Sequence, residues 1–293
     1  MTGDYQIFTD SSSDLPEEYL KAENIISMPL SFSIEDKQYF SGEMDSTLFY
    51  RKMREGAMPT TSSVNVSEAY SAMDRVLQMG RDILYIGFSA NMSSTLQNVR
   101  IAKEELAPLY PDRKIVIVDS MSVSLGQGLL VYLTNKMKQA GASLEKAAEW
   151  AAGHASCLRH YITTGNLTHL HRGGRISKAT ELVGTLLGVQ PILSMENGKP
   201  GVVGGKRGSK SALQNLAQRM SERVKEVKDG LCFITHTDCE KNALYLSEIM
   251  QERFDIKEFL IHQAGPVLGT HTGPGAVALF MMEDTAPGPV IVY

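Results

Sequence analysis

The sequence is short of most features that mark a specialised protein class. Its 293 residues include three cysteines and a single tryptophan. Cys157, Cys232 and Cys239 are odd in number and widely scattered, which argues against a disulfide framework or a cysteine zinc site and predicts small core residues. No apolar run approaches the ~20 residues of a membrane span. The opening MTGDYQIFTD has no basic-then-apolar signal layout, so a cytoplasmic location is expected. An excess of positive charge is missing as well: 29 Lys and Arg stand against 33 Asp and Glu, a net charge of -4, and no nucleic-acid partner is expected. Repeats and low-complexity stretches are absent. What remains is an ordinary soluble composition, 43% hydrophobic and 21% charged, long enough for one large α/β domain or two smaller ones.

Strand-like and amphipathic helical runs alternate, the pattern of a parallel or mixed sheet covered by helices. Strands are predicted at Tyr5 to Thr9, Ile83 to Phe88 and Lys114 to Val118, each ending in Ser, Asp or Asn. Ligands of open α/β sheets sit outside the carboxyl ends of strands, so these ends should converge on one crevice. A helix is predicted from Ser143 to Leu158, and the pattern then restarts with a strand at Tyr161 to Thr164. There follow a helix over Lys178 to Leu187, a hairpin over Ile192 to Val203, a helix over Ser209 to Val227, a strand at Leu231 to Thr235, a helix over Cys239 to Glu252 and a strand at Ile256 to Ile261. The reading places a boundary near residue 160, dividing the chain into domains 1–160 and 161–293.

The densest motif is HLHRGGRIS, His169 to Ser177, which packs two arginines, two histidines and two adjacent glycines into nine residues. Arginine offers a planar fork of donors for phosphate or carboxylate, and glycine lets the backbone come close. His169 and His171, two apart, would share a side of an extended segment, but no acidic or cysteine ligand lies nearby and no metal is expected. His154 and His160 flank a helix end and read as surface or capping groups. GFSAN, Gly87 to Asn91, resembles a nucleophile elbow without its last glycine, and Asp238 with His271 could complete a triad with Ser89 on paper. A serine esterase is therefore the alternative function. GGKRGSKS from Gly204 has P-loop ingredients out of order, and Gly126-Gln127-Gly128 lacks the third glycine of a dinucleotide fingerprint; a basic turn and a helix-packing pair are the preferred readings.

Hydroxyls cluster beyond the needs of capping. Thr60, Thr61, Ser62 and Ser63 precede a helix that one cap at Asn65 or Ser67 would satisfy. Neutral donors from Thr61, Ser93 and a histidine would suit a carboxylate. His271, in the turn HTGPG, is expected to open a helix and form an anion site from backbone N–H groups. The 15 methionines fit an adaptable apolar wall or ordinary core filling.

In order along the chain, TDSSSDL from Thr9, PTTSS from Pro59, FSANMSSTLQNVRIA from Phe88, VDSMSVSLGQG from Val118, LTHLHRGGRIS from Leu167, VQPILSMENGKP from Val189 and HTGPGAVAL from His271 resemble the DegV family. That family comprises bacterial fatty-acid-binding proteins, including the binding subunits of fatty acid kinase systems, and the resemblance covers nearly the whole chain. It implies two α/β domains, the N-terminal sheet mostly parallel and flanked by helices, the C-terminal one mixed. An apolar tunnel at their interface would hold one long acyl chain, with no further cofactor. The family's carboxylate ligands match Thr61, Ser93 and His271, with Ser94 beside them. The resemblance further implies a non-enzymatic acyl carrier in the uptake of phospholipid precursors, with transient contact at a membrane surface. A separate ATP-dependent kinase would convert the bound carboxylate to an acyl phosphate, docking on residues that match Arg172, Arg175 and Arg207. The sequence departs from the family pattern where SGT becomes Ser93-Ser94-Thr95, where TSQPS becomes Thr61-Ser62-Ser63-Val64-Asn65, and where Gly208 and Ser209 follow Arg207. These departures bear on kinase docking more than on lipid binding.

Overall fold

The computed structural model of the chain describes residues 5–165, 167–177 and 188–284, so the helix predicted over 178–187 lies outside the described residues. The apolar runs near Tyr5, Ile83 and Ile115 become strands because they are short, rich in β-branched and aromatic residues, and largely buried between covering layers. In chain order the first elements are β1 (Tyr5–Asp10), α1 (Glu17–Ala22), β2 (Ile26–Met28), β3 (Ser31–Ile34), β4 (Lys37–Phe40), α2 (Ser46–Arg54) and β5 (Thr60–Ser62). Next come α3 (Val66–Gln78), β6 (Asp82–Gly87), α4 (Thr95–Leu106), β7 (Ile115–Asp119), α5 (Leu125–Gln139) and α6 (Leu144–His154). The later elements are β8 (Leu158–Thr163), α7 (Thr168–Arg172), β9 (Val189–Glu196), β10 (Lys199–Arg207), α8 (Ser209–Arg223), β11 (Leu231–His236), α9 (Glu240–Arg253), β12 (Glu258–Gln263), α10 (Pro266–Thr272) and β13 (Val277–Met282).

These strands form a parallel sheet in the order β2-β1-β6-β7 and a mixed sheet in the order β10-β9-β8-β13-β11-β12. In the mixed sheet β11 and β12 run parallel, and the other neighbours are antiparallel. The α/β class with one parallel and one mixed sheet is as the sequence implied. A small antiparallel sheet, β4-β3-β5, was not foreseen. Its strands are three or four residues long, too short to carry a periodicity. It is anchored by Phe32, whose ring meets Phe49 of α2 edge-on at 5.3 Å.

One core cluster joins the two large sheets through α5: Ile7, Leu84 and Val118 on one side and Ile162, Leu193, Phe233 and Phe280 on the other pack with Leu125 and Leu129. The approach of α5 depends on its glycines. A Cβ on Gly126 would lie 2.7 Å from Phe280 Cδ1, and one on Gly128 would lie 2.9 Å from the Ser13 carbonyl oxygen. The pair is a packing device, as read. Residue 160 falls inside β8, whose neighbours β9 and β13 both come later in the chain.

His160 corrects the sequence reading. It is 4% exposed rather than a surface or capping group, with Nε2 2.6 Å from Ser122 Oγ and its ring edge-on to Phe280. Burial presses its imidazole pKa down to about 3, so it is a neutral core group. His154 does end α6, its Nδ1 2.8 Å from the Trp150 carbonyl. Cys157 and Cys232 are buried as expected, whereas Cys239 is half-buried and its thiol donates to the Ala276 carbonyl. Among the described residues no helix is long and apolar enough to cross a membrane, and no group of three or more His, Cys, Asp or Glu could hold a metal ion.

Candidate functional site

Between the two large sheets lies a cavity of about 320 Å³, within the usual range for small-molecule sites. Its apolar wall includes Leu30, Phe88, Val123, Ile162, Leu193 and Val267, with Met92 and Met195 as the methionines that reach it. A second, narrow hollow of about 20 Å³ shares Val123, Ile162, Leu268 and Thr272 with the cavity and is lined further by Ala278 and Phe280. The polar wall is gathered from distant segments: Ser12 after β1, Thr61 on β5, Ser93 and Ser94 in the turn before α4, Arg175 after α7, and His271 at the end of α10. The three strand ends expected to converge all reach the cavity, β1 through Ser12, β6 through Phe88 and β7 through Val123. The serines after β7 bond within their own turn, Ser120 Oγ donating to the Ser122 carbonyl.

Within the polar wall, Thr61 Oγ1 and His271 Nε2 lie 2.9 Å apart. Ser93 Oγ is 3.0 Å from Thr95 Oγ1 and accepts the Thr95 backbone N–H, tightening the first turn of α4. Ser94 stands at the solvent edge of that wall: it is exposed, and its hydroxyl donates to Ser63 Oγ at 2.9 Å. The Arg175 guanidinium donates from Nε and Nη2 to the Met92 carbonyl at 3.2 and 3.0 Å, bracing its loop against the turn that carries Ser93. Burial, reinforced by Arg175, Arg172 and His169, lowers the His271 pKa to about 4, so its ring is neutral at pH 7. Burial also lowers the Arg175 pKa, although guanidinium keeps its charge throughout the physiological range. The result is a set of neutral donors with one nearby cation, suited to a single carboxylate.

The HTGPG segment overturns one expectation. It closes α10 rather than opening a helix: Pro266 stands at the start of the helix, and Gly273, at φ +71°, ψ 170°, ends it. The backbone N–H groups predicted to bind an anion are spent internally, Gly273 N to the Gly269 carbonyl, Gly275 N to the Thr237 carbonyl and Ala276 N to Thr237 Oγ1. His271 therefore contributes its side chain. Two residues that the sequence reading missed hold α10 in place. The Asp14 carboxylate accepts the Gly265 N–H at 2.9 Å and the Ser124 hydroxyl at 2.6 Å, and the Tyr50 hydroxyl donates to the Ala264 carbonyl at 2.8 Å. Asp14 lies in the TDSSSDL cluster, whose surplus of polar groups was the available signal; Tyr50 had none.

The arginines separate. Arg172 and Arg207 are exposed at the ends of α7 and β10, whereas Arg175 is half-buried and lines the cavity. His169 and His171 lie on the helix α7 rather than on an extended segment, so their spacing does not pair them. The triad suggested for Ser89 does not assemble. Ser89 is fully buried and donates to the Gly198 carbonyl at 2.8 Å, Asp238 is ion-paired with Arg54, and His271 is engaged with Thr61.

The DegV family profile, described as that of uncharacterised proteins, matches residues 4–284. A DegV domain-containing protein of Clostridium perfringens is 38% identical over 285 residues, covering 96% of this chain and 98% of its own length. A DegV family protein from Thermus thermophilus, described for its fatty acid binding, superposes with a TM-score of 0.86 at 26% identity, covering 96% of this chain and 99% of that one. A stearic-acid-binding protein from Eubacterium ventriosum gives 0.84 at 26% identity, with 95% and 98% covered. On the match of nearly its entire length, this chain belongs to the DegV family.

Proposed function

We propose that this protein binds one long-chain fatty acid in the cavity between its sheets and presents the carboxylate to a separate ATP-dependent kinase in the cytoplasm. The observation that carries the reading is that Thr61, Ser93, a neutral His271 and Arg175 line the same cavity as an apolar wall of Leu30, Phe88, Ile162, Leu193 and Val267, with Thr61 and His271 in hydrogen-bond contact. Solved relatives described as fatty-acid-binding and stearic-acid-binding support it. Burying a dozen methylenes at about 0.8 kcal/mol each gives roughly 10 kcal/mol before association costs. Three hydrogen bonds add about 1 kcal/mol each, so affinity comes from the chain and orientation from the head group. The protein is then a carrier, taking its ligand from water or from a membrane surface, with the acyl-phosphate chemistry left to its partner. Arg172 and Arg207, both exposed, are the residues available for docking or for the nucleotide phosphates.

Native mass spectrometry and solvent extraction of the purified protein test the reading directly. Co-purified long-chain fatty acid is expected. A protein that emerges empty and takes up no added long-chain fatty acid would sink it.

A further inference from the structure

We propose that Gly173 is a positioning residue for His271, holding the imidazole so that Nε2 carries the hydrogen and donates into the head-group site. The inference draws on the fatty-acid reading only for what that donor finally meets.

Gly173 follows α7 with φ -73° and ψ -4°, a conformation open to any residue, so the backbone does not require glycine there. Space does. A Cβ at Gly173 would lie 2.2 Å from His271 Nδ1 and 2.9 Å from its Cε1. The relation is reciprocal: a Cβ on Gly273 would lie 2.4 Å from His169 Cδ2. The two motifs are thus clasped, each laying a histidine ring on the bare glycine of the other. Arg175 fastens the same loop from its other side, to the Met92 carbonyl.

The clasp leaves His271 Nδ1 buried, with no hydrogen-bond partner among the described residues. A neutral imidazole has one N–H and one bare nitrogen. Placing the hydrogen on Nδ1 would orphan a buried donor, whereas placing it on Nε2 pairs it with Thr61 Oγ1 at 2.9 Å. Thr61, accepting that bond, keeps its own hydroxyl hydrogen for the cavity. Burial and the neighbouring Arg175 keep the ring neutral, so the tautomer is the state that matters at pH 7.

Long-range proton–nitrogen spectra of full-length, histidine-labelled protein read the tautomer without any ligand. For His271 a pyrrole-like Nε2 and a pyridine-like Nδ1 are expected, and the reverse assignment overturns the inference. Gly173→Ala should raise the Kd for palmitate about tenfold, and the same change in a His271→Ala background should move it less than about twofold. An equal penalty in both backgrounds would show that Gly173 acts through something other than His271 and would also overturn it. Should the protein bind no palmitate, the tautomer still decides this inference, while the failure falls on the proposed function.

Discussion

The two ends of the cavity are built on different principles. At the inner end Ile162, Leu193 and Phe280 stand on β8, β9 and β13, adjacent strands whose ladders fix their positions. At the outer end Thr61 sits on a three-residue strand, Ser93 in a turn, Arg175 in a loop and His271 at the close of a seven-residue helix. Side-chain bonds take over the work of ladders there: Arg175 to Met92, Asp14 to Gly265, Tyr50 to Ala264. The contrast separates two quantities. On the proposed function, packing at the inner end would set stability and gross affinity, and polar bonds at the outer end would set orientation and pH response.

The comparison can be broken most forcefully at the inner end. Phe280 is fully buried, so Phe280→Ala should cost about 3–5 kcal/mol in denaturant unfolding. A loss below about 1 kcal/mol would mean that the inner end is not close-packed. Next comes the anchor of the outer end: Asp14→Ala leaves the Gly265 N–H and the Ser124 hydroxyl without their acceptor and should cost about 2 kcal/mol.

Asp14 also sets a pH signature. Burial raises its pKa from the ordinary carboxylate range to about 7, so folding favours the protonated form. Its stabilising contribution is complete below the unfolded value and is lost as pH rises through about 7. Unfolding free energy measured from pH 4 to 8 should therefore decline with a component that Asp14→Asn removes; an unchanged slope in the variant would clear Asp14 of this role.

Smaller effects are expected from the head-group residues. Thr61→Ala or His271→Ala should weaken fatty acid binding about five- to tenfold while leaving the unfolding midpoint nearly unchanged. A complete loss of binding would place affinity, not only orientation, at the outer end. Least of all should binding respond to the exposed arginines: Arg172→Ala combined with Arg207→Ala should leave lipid content intact and lower acyl-phosphate formation with a kinase partner. Lost lipid would assign these residues to the ligand.

Legibility in the sequence followed the same division. The strands β1, β6 and β7, the β9–β10 hairpin and the amphipathic helices could be read because each carries its own periodicity or turn residues. His160 was misread because a histidine next to a helix end looks alike in sequence whether it faces water or, as here, Phe280. HTGPG was misread because a Gly-Pro-Gly turn suits either end of a helix, and only the path of α10 before it decides which. Thr61, Ser93 and His271 could be picked out through hydroxyl surplus and motif order, and the structure lines one cavity with all three. Asp14 and Tyr50 could not, since bonds spanning 251 and 214 residues leave no local pattern.

By itself, then, the sequence determined the α/β class, most elements and the residue types from which the site is assembled, because these depend on local propensity and on the spacing of apolar groups. The tertiary structure alone decided which of those residues meet. Burial made His271 neutral, bound Ser89 to the Gly198 carbonyl, and drew Arg175 to the cavity while leaving Arg172, three residues earlier, in water. Such outcomes depend on desolvation and on contacts between distant segments, which exist only once the sheets have closed on α5.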